Sequence, residues 1–137
     1  MKLLLSFWQI FQNTLGLILV VITKATVKGR IIDGELIDYY VARRFNHTWS
    51  GVSLGDFIVF SVDAFANETS IRHEHGHQIQ SEYLGPFYLI VVGLPSFLRN
   101  IWDRFAHMKW TNKQRVDWYY SHFPENQADK FGGVKRN

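Results

Sequence analysis

The chain has 137 residues, no cysteine, and a formal net charge of +3 from 15 basic and 12 acidic residues. This length fits a single domain, residues 1–137, and the lack of cysteine excludes disulfide bonds and thiolate ligation of a metal. The basic residues are spread along the chain instead of being clustered, which argues against nucleic acid as a partner. Any metal must therefore bind through histidine and carboxylate side chains.

Residues 3–23 are uncharged and mostly apolar, long enough in principle to cross a bilayer as one helix. Gln9, Gln12, Asn13 and Gly16 recur at helical spacing and form one polar or small stripe. The run fits a spanning helix packed by its stripe, a helix in the membrane interface, or a broad amphipathic helix of a soluble fold. We expect an apolar N-terminal helix that associates with a membrane.

A cleaved signal peptide is the competing interpretation of this segment. Lys2 is the only basic residue before the apolar run, and no A-x-A site follows it, so we do not expect cleavage. Lys24, Lys28 and Arg30 come next and would favour a cytoplasmic position for the downstream chain if the segment spans.

Residues 31–63 change to short β-type stretches, such as 39–44 and 57–62, separated by Asn46, Gly51 and Gly55. They predict two or three antiparallel strands. Together with the helices described next, this small antiparallel sheet indicates the α+β class.

Three further segments are predicted to be mainly helical. One helix has Asn67 as its N-cap, runs to about Tyr83 and ends at Gly85-Pro86. The polar stretch after residue 99 predicts two helical pieces joined near His122, the second with Pro124 in its first turn and Gly132-Gly133 at its end. Residues 87–98 are apolar but too short to span a bilayer, which favours a buried or re-entrant segment.

The sharpest motif is His73-Glu74-His75-Gly76-His77, which satisfies H-E-x-x-H within a predicted helix. His73 and His77 are about 40° apart around a helix, so both imidazoles can reach one metal ion. Glu74 is about 100° from His73 and can hold a water beside that ion without binding the metal. Glu74 is therefore the candidate catalytic residue, and His73 and His77 are the candidate ligands.

The two other residues of the motif are not predicted to bind the metal. His75 is about 200° round the helix from His73 and should point away, to a supporting, core or surface position. Gly76 costs roughly 1 kcal/mol in a helix interior, so its missing side chain should leave space near the metal or for a packed backbone.

A third ligand is expected from residues 125–129, which have the form E-x-x-A-D. A helix with H-E-x-G-H followed downstream by E-x-x-A-D resembles the gluzincin metallopeptidases. The resemblance implies Zn²⁺ as cofactor, a zincin-like fold, and a peptide or protein substrate. It also implies that Glu125 is the third ligand and that Asp129 bonds a ring N–H of His73.

This resemblance covers about fifteen residues, and the chain also resembles short bacterial proteins that carry the same histidine helix and a Leu-Gly-Pro segment. Glu82 and Asp117 are the rival carboxylates. Glu82 lies about 140° round the helix from His77, and Asp117 lacks a carboxylate partner one turn away. Candidates for stabilising a transition state are, by chemistry alone, Tyr119, Tyr120, His107 and His122.

The sequence therefore predicts a zinc-dependent metallopeptidase that hydrolyses peptide bonds through a metal-activated water. The alternative is a non-catalytic, membrane-associated binding or assembly protein with a structural or vestigial zinc site. A third possibility is a soluble α+β domain in which residues 3–23 are part of the core.

Overall fold

A computed structural model describes residues 1–46 and 49–136 of the chain. In these ranges the fold is α+β, with six α-helices and a four-stranded sheet. The helices are α1 (Lys2–Trp8), α2 (Ile10–Thr23), α3 (Glu68–Leu84), α4 (Leu94–Ala106), α5 (Asn112–Tyr120) and α6 (Glu125–Gly132). The strands are β1 (Thr26–Ile32), β2 (Glu35–Val41), β3 (Gly51–Leu54) and β4 (Phe57–Phe60).

The sheet has the strand order β1-β2-β4-β3 and is mixed. β1 pairs with β2, and β3 with β4, in antiparallel fashion, but β2 and β4 run parallel, with Val41 opposite Phe60. The prediction of a purely antiparallel sheet is wrong at this pairing. The reason is that β3 and β4 form a tight hairpin around Gly55 (φ +62°), and it is the second strand of this hairpin that pairs with β2.

The hydrophobic core lies between the sheet and α3. Ile71 of α3 is fully buried against apolar side chains from β1, β2 and β4, and the Tyr39 and Phe60 rings meet edge to face at 5.8 Å. Sheet and helix bury their apolar faces against each other in this way. Ile71, two residues before His73, therefore anchors α3 against the sheet.

Both ends of α3 and the C-terminal end of α6 confirm the predicted boundaries, but Pro124 precedes α6 instead of lying in its first turn. The Asn67 side chain accepts a hydrogen bond from the Ser70 N–H at 2.9 Å, and α3 stops where Gly85 takes φ +53°. Pro124 directly precedes α6, and Gly133 ends that helix in the left-handed conformation.

The apolar run at residues 3–23 is two helices instead of one, because the chain turns by 89° at Gln9. Gln9 is buried and bonds to Ser81 of α3, so a tertiary contact holds this bend. Among the described residues, no single helix has the length and apolarity needed to cross a membrane. Two bent pairs meet the criterion when their members are combined: α1 with α2, and residues 68–87 with residues 89–106, which meet at 119°.

Residues 87–98 contain a short π-helix, Leu89–Gly93, and the start of α4. Tyr88 and Val92 are buried, but Ile90 and Phe97 expose 67% and 62% of their surface. The prediction of a buried segment is therefore wrong for most of these side chains. The re-entrant alternative stays a prediction.

Candidate metal centre

The candidate metal centre lies where α3 and α6 touch backbone to backbone. A Cβ atom added to Gly76 would lie 1.8 Å from the carbonyl oxygen of Ala128, and one added to Gly132 would lie 1.8 Å from that of Arg72. Only glycine permits so close an approach. Of the two roles predicted for Gly76, this contact supports the packed backbone.

This contact brings the three predicted ligands together. The Nε2 atoms of His73 and His77 lie 2.9 and 3.0 Å from Oε2 of Glu125, and all three residues are buried. Ligand atoms at 2.0–2.2 Å from a tetrahedral zinc ion are roughly 3.3 Å apart, so the donor set fits a metal at about this spacing. His73, His77 and Glu125 can therefore hold a metal ion.

Each histidine uses its other ring nitrogen to bond a supporting side chain. Nδ1 of His73 lies 2.7 Å from Oδ1 of Asp129, and Nδ1 of His77 lies 2.7 Å from Oε1 of Gln80. Because both partners are acceptors, each Nδ1 carries a hydrogen and donates it, which leaves Nε2 as the metal-binding atom. Asp129 occupies the position that the E-x-x-A-D resemblance implies for it.

Gln80 was not predicted from the sequence. Its amide nitrogen donates to the carbonyl oxygen of Pro124 at 3.1 Å and to Oε1 of Gln127 at 2.9 Å, so it ties His77 to the start of α6. The signal was present, because Gln80 follows His77 by three residues and shares its helix face.

Two further residues orient the Glu125 carboxylate. Oε1 accepts hydrogen bonds from the Tyr119 hydroxyl, at 3.1 Å, and from the hydroxyl of Ser96 on α4. Oε2 is thereby presented to the histidines. Ser96 lies 29 residues before Glu125 and carries no motif, so the sequence gives no signal for its role.

Arg136 supports the opposite side of the centre. Its guanidinium donates to both oxygens of Asp129, at 2.6 and 3.0 Å, and lies 3.4 Å from the centre of the Tyr120 ring. The Tyr120 ring in turn meets the His73 ring edge to face at 5.1 Å. Arg136, Tyr120 and Asp129 thus fix the orientation of His73 from outside.

These contacts shift the protonation of the ligands in the metal-free chain. Burial by itself would lower the pKa of His73, but hydrogen bonds to Asp129 and Glu125 outweigh burial and raise this pKa to about 10. Burial would raise the pKa of Glu125, but the hydrogen bonds from His73 and His77 hold it well below its usual range. His73 is therefore an imidazolium whose proton a bound metal must replace.

Glu74 and the candidate ligand His73 line a cavity of about 140 Å³. Burial raises the pKa of the Glu74 carboxyl, and the nearby His73 and His77 reverse only part of this effect. Ser50 and Gly51, the first residue of β3, line one side of this cavity. A Cβ atom added to Gly51 would lie 3.5 Å from Oε1 of Glu74. Glu74 is thus a buried carboxyl next to the ligands, with space in front of it.

The other candidates lie elsewhere. His75 bonds to Gln78, Glu82 is exposed, and Asp117 forms an exposed ion pair with Lys113, so none of the three is a ligand. His107 bonds to Asp103 and stacks on Trp110, and His122 bonds to the carbonyl oxygen of Trp118. Of the four candidate transition-state stabilisers, Tyr119 contacts the ligand Glu125 and Tyr120 lines the cavity.

Comparison of the chain with protein-family models, with curated proteins and with solved structures gave no match. The assignment of a function rests on the geometry of the centre and on the two motifs.

Proposed function

We propose that the protein is a zinc-dependent metallopeptidase of gluzincin type, with a reduced zincin-like fold. The observation that carries the proposal is the convergence of His73, His77 and Glu125, whose donor atoms all lie within 4.8 Å of one another. Glu74, the residue after His73, lines a cavity together with it.

The donor set favours zinc in a catalytic site. Two imidazoles and one carboxylate are the ligands of many catalytic zinc ions, whereas structural zinc is usually enclosed by four protein ligands. His73, His77 and Glu125 would hold the ion and leave its fourth position open towards the cavity. A bound zinc ion would supply Lewis acidity, which lowers the pKa of water and polarises a carbonyl group.

Glu74 is the proposed general base. Its burial raises the pKa of the carboxyl, which brings this group closer to the range in which it can accept a proton and then release it at neutral pH. Glu74 would take the proton of the attacking water and pass it to the leaving amine. Asp129 and Gln80 would keep the two imidazoles in the required tautomer.

The sheet supports a peptide as the substrate. β3 is an edge strand of the described sheet, and its first residue lines the cavity in front of Glu74. An extended peptide can add to such an edge through main-chain hydrogen bonds, with side-chain pockets providing selectivity. A peptide on β3 would run past the proposed base and the open position of the metal.

The test pairs metal analysis with hydrolysis by the full-length protein. Protein purified without added zinc should hold about one zinc ion per chain, both as wild type and as Glu74→Gln, because Glu74 is not a ligand. Wild type should cleave a peptide library, and Glu74→Gln should not, because the amide keeps the shape but cannot accept a proton.

Two results would contradict the proposal. Equal cleavage by Glu74→Gln would exclude Glu74 as the base. Unchanged zinc content in both His73→Ala and His77→Ala would exclude the metal centre. Zinc binding without Glu74-dependent cleavage would favour the non-catalytic alternative, a binding or assembly protein with a structural or vestigial zinc site.

A further inference from the structure

We propose that α1, α2 and residues 87–106 bind one leaflet of a lipid bilayer, so that the protein lies on a membrane without crossing it. The lipid-binding surface consists of the exposed apolar side chains of α1 and α2 together with those of residues 87–106. This inference does not depend on the metal centre.

In α1 and α2 the apolar side chains are exposed and polar side chains are buried, the reverse of a helix in a soluble protein. α1 has no buried residue, and the buried residues of α2 are Gln12, Gly16 and Thr23. The apolar side chains point outward instead, and Leu3 and Phe7 expose 83% and 72% of their surface. Exposing Leu, Ile and Phe to water forfeits the free energy that burial normally supplies, so this surface requires an apolar partner.

The polar side of the same helices is used up in contacts with the protein. Ser6 and Asn13 donate to the Asp56 carboxylate at 2.7 and 3.0 Å, and the Asp56 N–H donates to the Asn13 side chain at 2.7 Å. Gly16 lies directly against Phe57, with no room for a side chain. α1 and α2 are therefore fixed to the β3–β4 hairpin by their polar stripe.

α4 has the same arrangement. Asp103 is buried and accepts hydrogen bonds from Arg115, while Ser96 bonds to Glu125. The apolar side chains of α4 lie on its exposed face, where Phe97 and Trp102 are prominent.

The two bends are joined to each other. The side-chain amide of Gln12 donates to Oγ of Ser81 at 2.9 Å and to the carbonyl oxygen of Gly85 at 2.8 Å. The Ser81 hydroxyl donates to Oε1 of Gln9 at 2.5 Å, and the Trp8 indole occupies the space that a side chain at residue 85 would need. Gln9 lies at the first bend, and Gly85 lies three residues before the second, at Tyr88, so these hydrogen bonds connect α1 and α2 to the segment that leads into residues 87–106.

Lipid fits this surface better than a protein partner does. Protein interfaces include hydrogen bonds at regular intervals, whereas acyl chains offer none. The exposed hydroxyl of Thr14 already donates to the carbonyl oxygen of Ile10 in its own helix, at 2.7 Å. Residues 1–23 and 87–102 contain no acidic residue, and Asp103 is buried, whereas Lys2, Lys24 and Arg99 carry positive charges that suit anionic headgroups.

The bends and the packing of α2 on the β3–β4 hairpin restrict the proposed contact to one leaflet. α2 has 14 residues and is about 21 Å long, shorter than the roughly 30 Å of a bilayer core. Its middle is bonded to the β3–β4 hairpin, so it cannot enter the core end-on without burying that hairpin. The helices are therefore suited to lie in the interface with their apolar faces towards the acyl chains.

The test is flotation of the full-length protein with vesicles of phosphatidylethanolamine and phosphatidylglycerol, and with vesicles of phosphatidylcholine alone. We expect flotation with the anionic vesicles and weaker flotation with phosphatidylcholine. Phe7→Asp and Phe97→Asp should each weaken binding by about 10-fold or more, because each places a charge among the acyl chains. Circular dichroism checks that each variant is folded.

Ile31→Asp is the matched control, because Ile31 is 72% exposed but lies on β1 outside the proposed surface. It should float like wild type. Wild-type protein that stays at the bottom of the gradient as a stable dimer, and that Phe97→Asp converts to a monomer, would show that a second copy covers the surface and would overturn the proposal. Unchanged flotation of both Phe variants would also overturn it.

The cysteine-free chain allows a separate test of the one-leaflet arrangement. Lys2→Cys and Lys24→Cys, each expressed in a bacterial host, are exposed to a membrane-impermeant maleimide in spheroplasts and after lysis. Both positions should react alike, because the chain returns to the side from which it entered. Labelling of only one of the two in spheroplasts would show that α1 and α2 cross the bilayer.

Discussion

Helices α2 and α3 each bury a glycine and polar side chains, but the partners of those polar groups differ. Gln12 of α2 donates hydrogen bonds to a hydroxyl and to a backbone carbonyl, and this glutamine and both of its partners are neutral. His73 and His77 of α3 instead direct two nitrogens at one carboxylate oxygen. Buried polar groups alone therefore do not identify a functional site; several donor atoms directed at one point do.

The two helices also differ in what lies behind their polar groups. Behind the stripe of α2 is an outer face that is apolar apart from Thr14, so its polar contacts attach the helix to α3 and to the β3–β4 hairpin. Behind the histidines of α3 are Asp129, Gln80 and Arg136, which orient the groups in front of them. Such a supporting layer is what a metal centre needs and what a docking contact does without.

The largest effect is expected for Glu125→Gln. This change removes the carboxylate that we propose as the charged ligand, and we expect zinc affinity to fall by more than about 100-fold, beyond the loss typical of a supporting residue. The measurement is a competition titration with a zinc chelator. Asp117→Asn is the control, since Asp117 is an exposed carboxylate paired with Lys113, and the zinc affinity of this variant should match that of wild type.

A loss of affinity in Asp117→Asn, with wild-type affinity in Glu125→Gln, would show that the convergence on Glu125 does not bind the metal. The convergence of donor atoms that distinguishes α3 from α2 would then not mark a metal site.

Gly76→Ala should be the most destabilising of the small changes. The new methyl group would collide with the backbone of Ala128, so α6 must move and take Glu125 with it. We expect about 1–3 kcal/mol of lost stability, together with weaker zinc binding. Urea unfolding measures the first and chelator competition the second.

Gly93→Ala is the matched control, because a Cβ at Gly93 meets its nearest neighbour at an ordinary 3.6 Å. It should leave stability unchanged or raise it by up to about 1 kcal/mol, as alanine favours helix. Equal losses in the two variants would mean that α3 and α6 tolerate separation and that their contact does not position Glu125.

The smallest effects separate the two helices most clearly. Gln80→Leu should weaken zinc binding by roughly 10- to 100-fold, because His77 loses the acceptor that fixes its tautomer.

Gln12→Leu leaves Ser81 and the carbonyl of Gly85 without this partner, and should lower stability by about 1–3 kcal/mol with zinc affinity unchanged. Urea unfolding measures the stability of the two variants, and competition with a chelator measures their zinc affinity. Reduced zinc affinity in Gln12→Leu would show that the two networks act as one.

Local signals predicted the parts of the fold and centre that depend on local chemistry. The Asn67 cap, the stop at Gly85 and the start of α6 after Pro124 each follow from the conformational preferences of single residues. H-E-x-x-H placed two ligands because helical spacing fixes their directions. Glu125 and Asp129 came from the family resemblance, and the contact between α3 and α6 explains how they reach the histidines.

The features that the sequence did not predict depend on contacts between distant segments. No glycine or proline marks the bend at Gln9, which is held by Ser81, 72 residues away. The parallel pairing of β2 with β4 is likewise set by where the β3–β4 hairpin docks. Ser96 and Arg136 support the centre through side chains that have no distinctive spacing from the residues they contact.

The buried Gln9–Gln12–Ser81 network also limits the distance between the cavity and the lipid. Ser81 lies on the same helix as the histidines, and Gly85, where that helix ends, is eight residues beyond His77. At 1.5 Å per residue, Gly85 is about 12 Å from His77 along the helix axis. An extended peptide covers that distance in about four residues. Taken together, the proposed peptidase activity and the proposed lipid binding predict that the enzyme cleaves peptide bonds of a membrane-anchored substrate just outside the lipid headgroups. The length of α3 between His77 and Gly85 sets which of these bonds reach the metal centre.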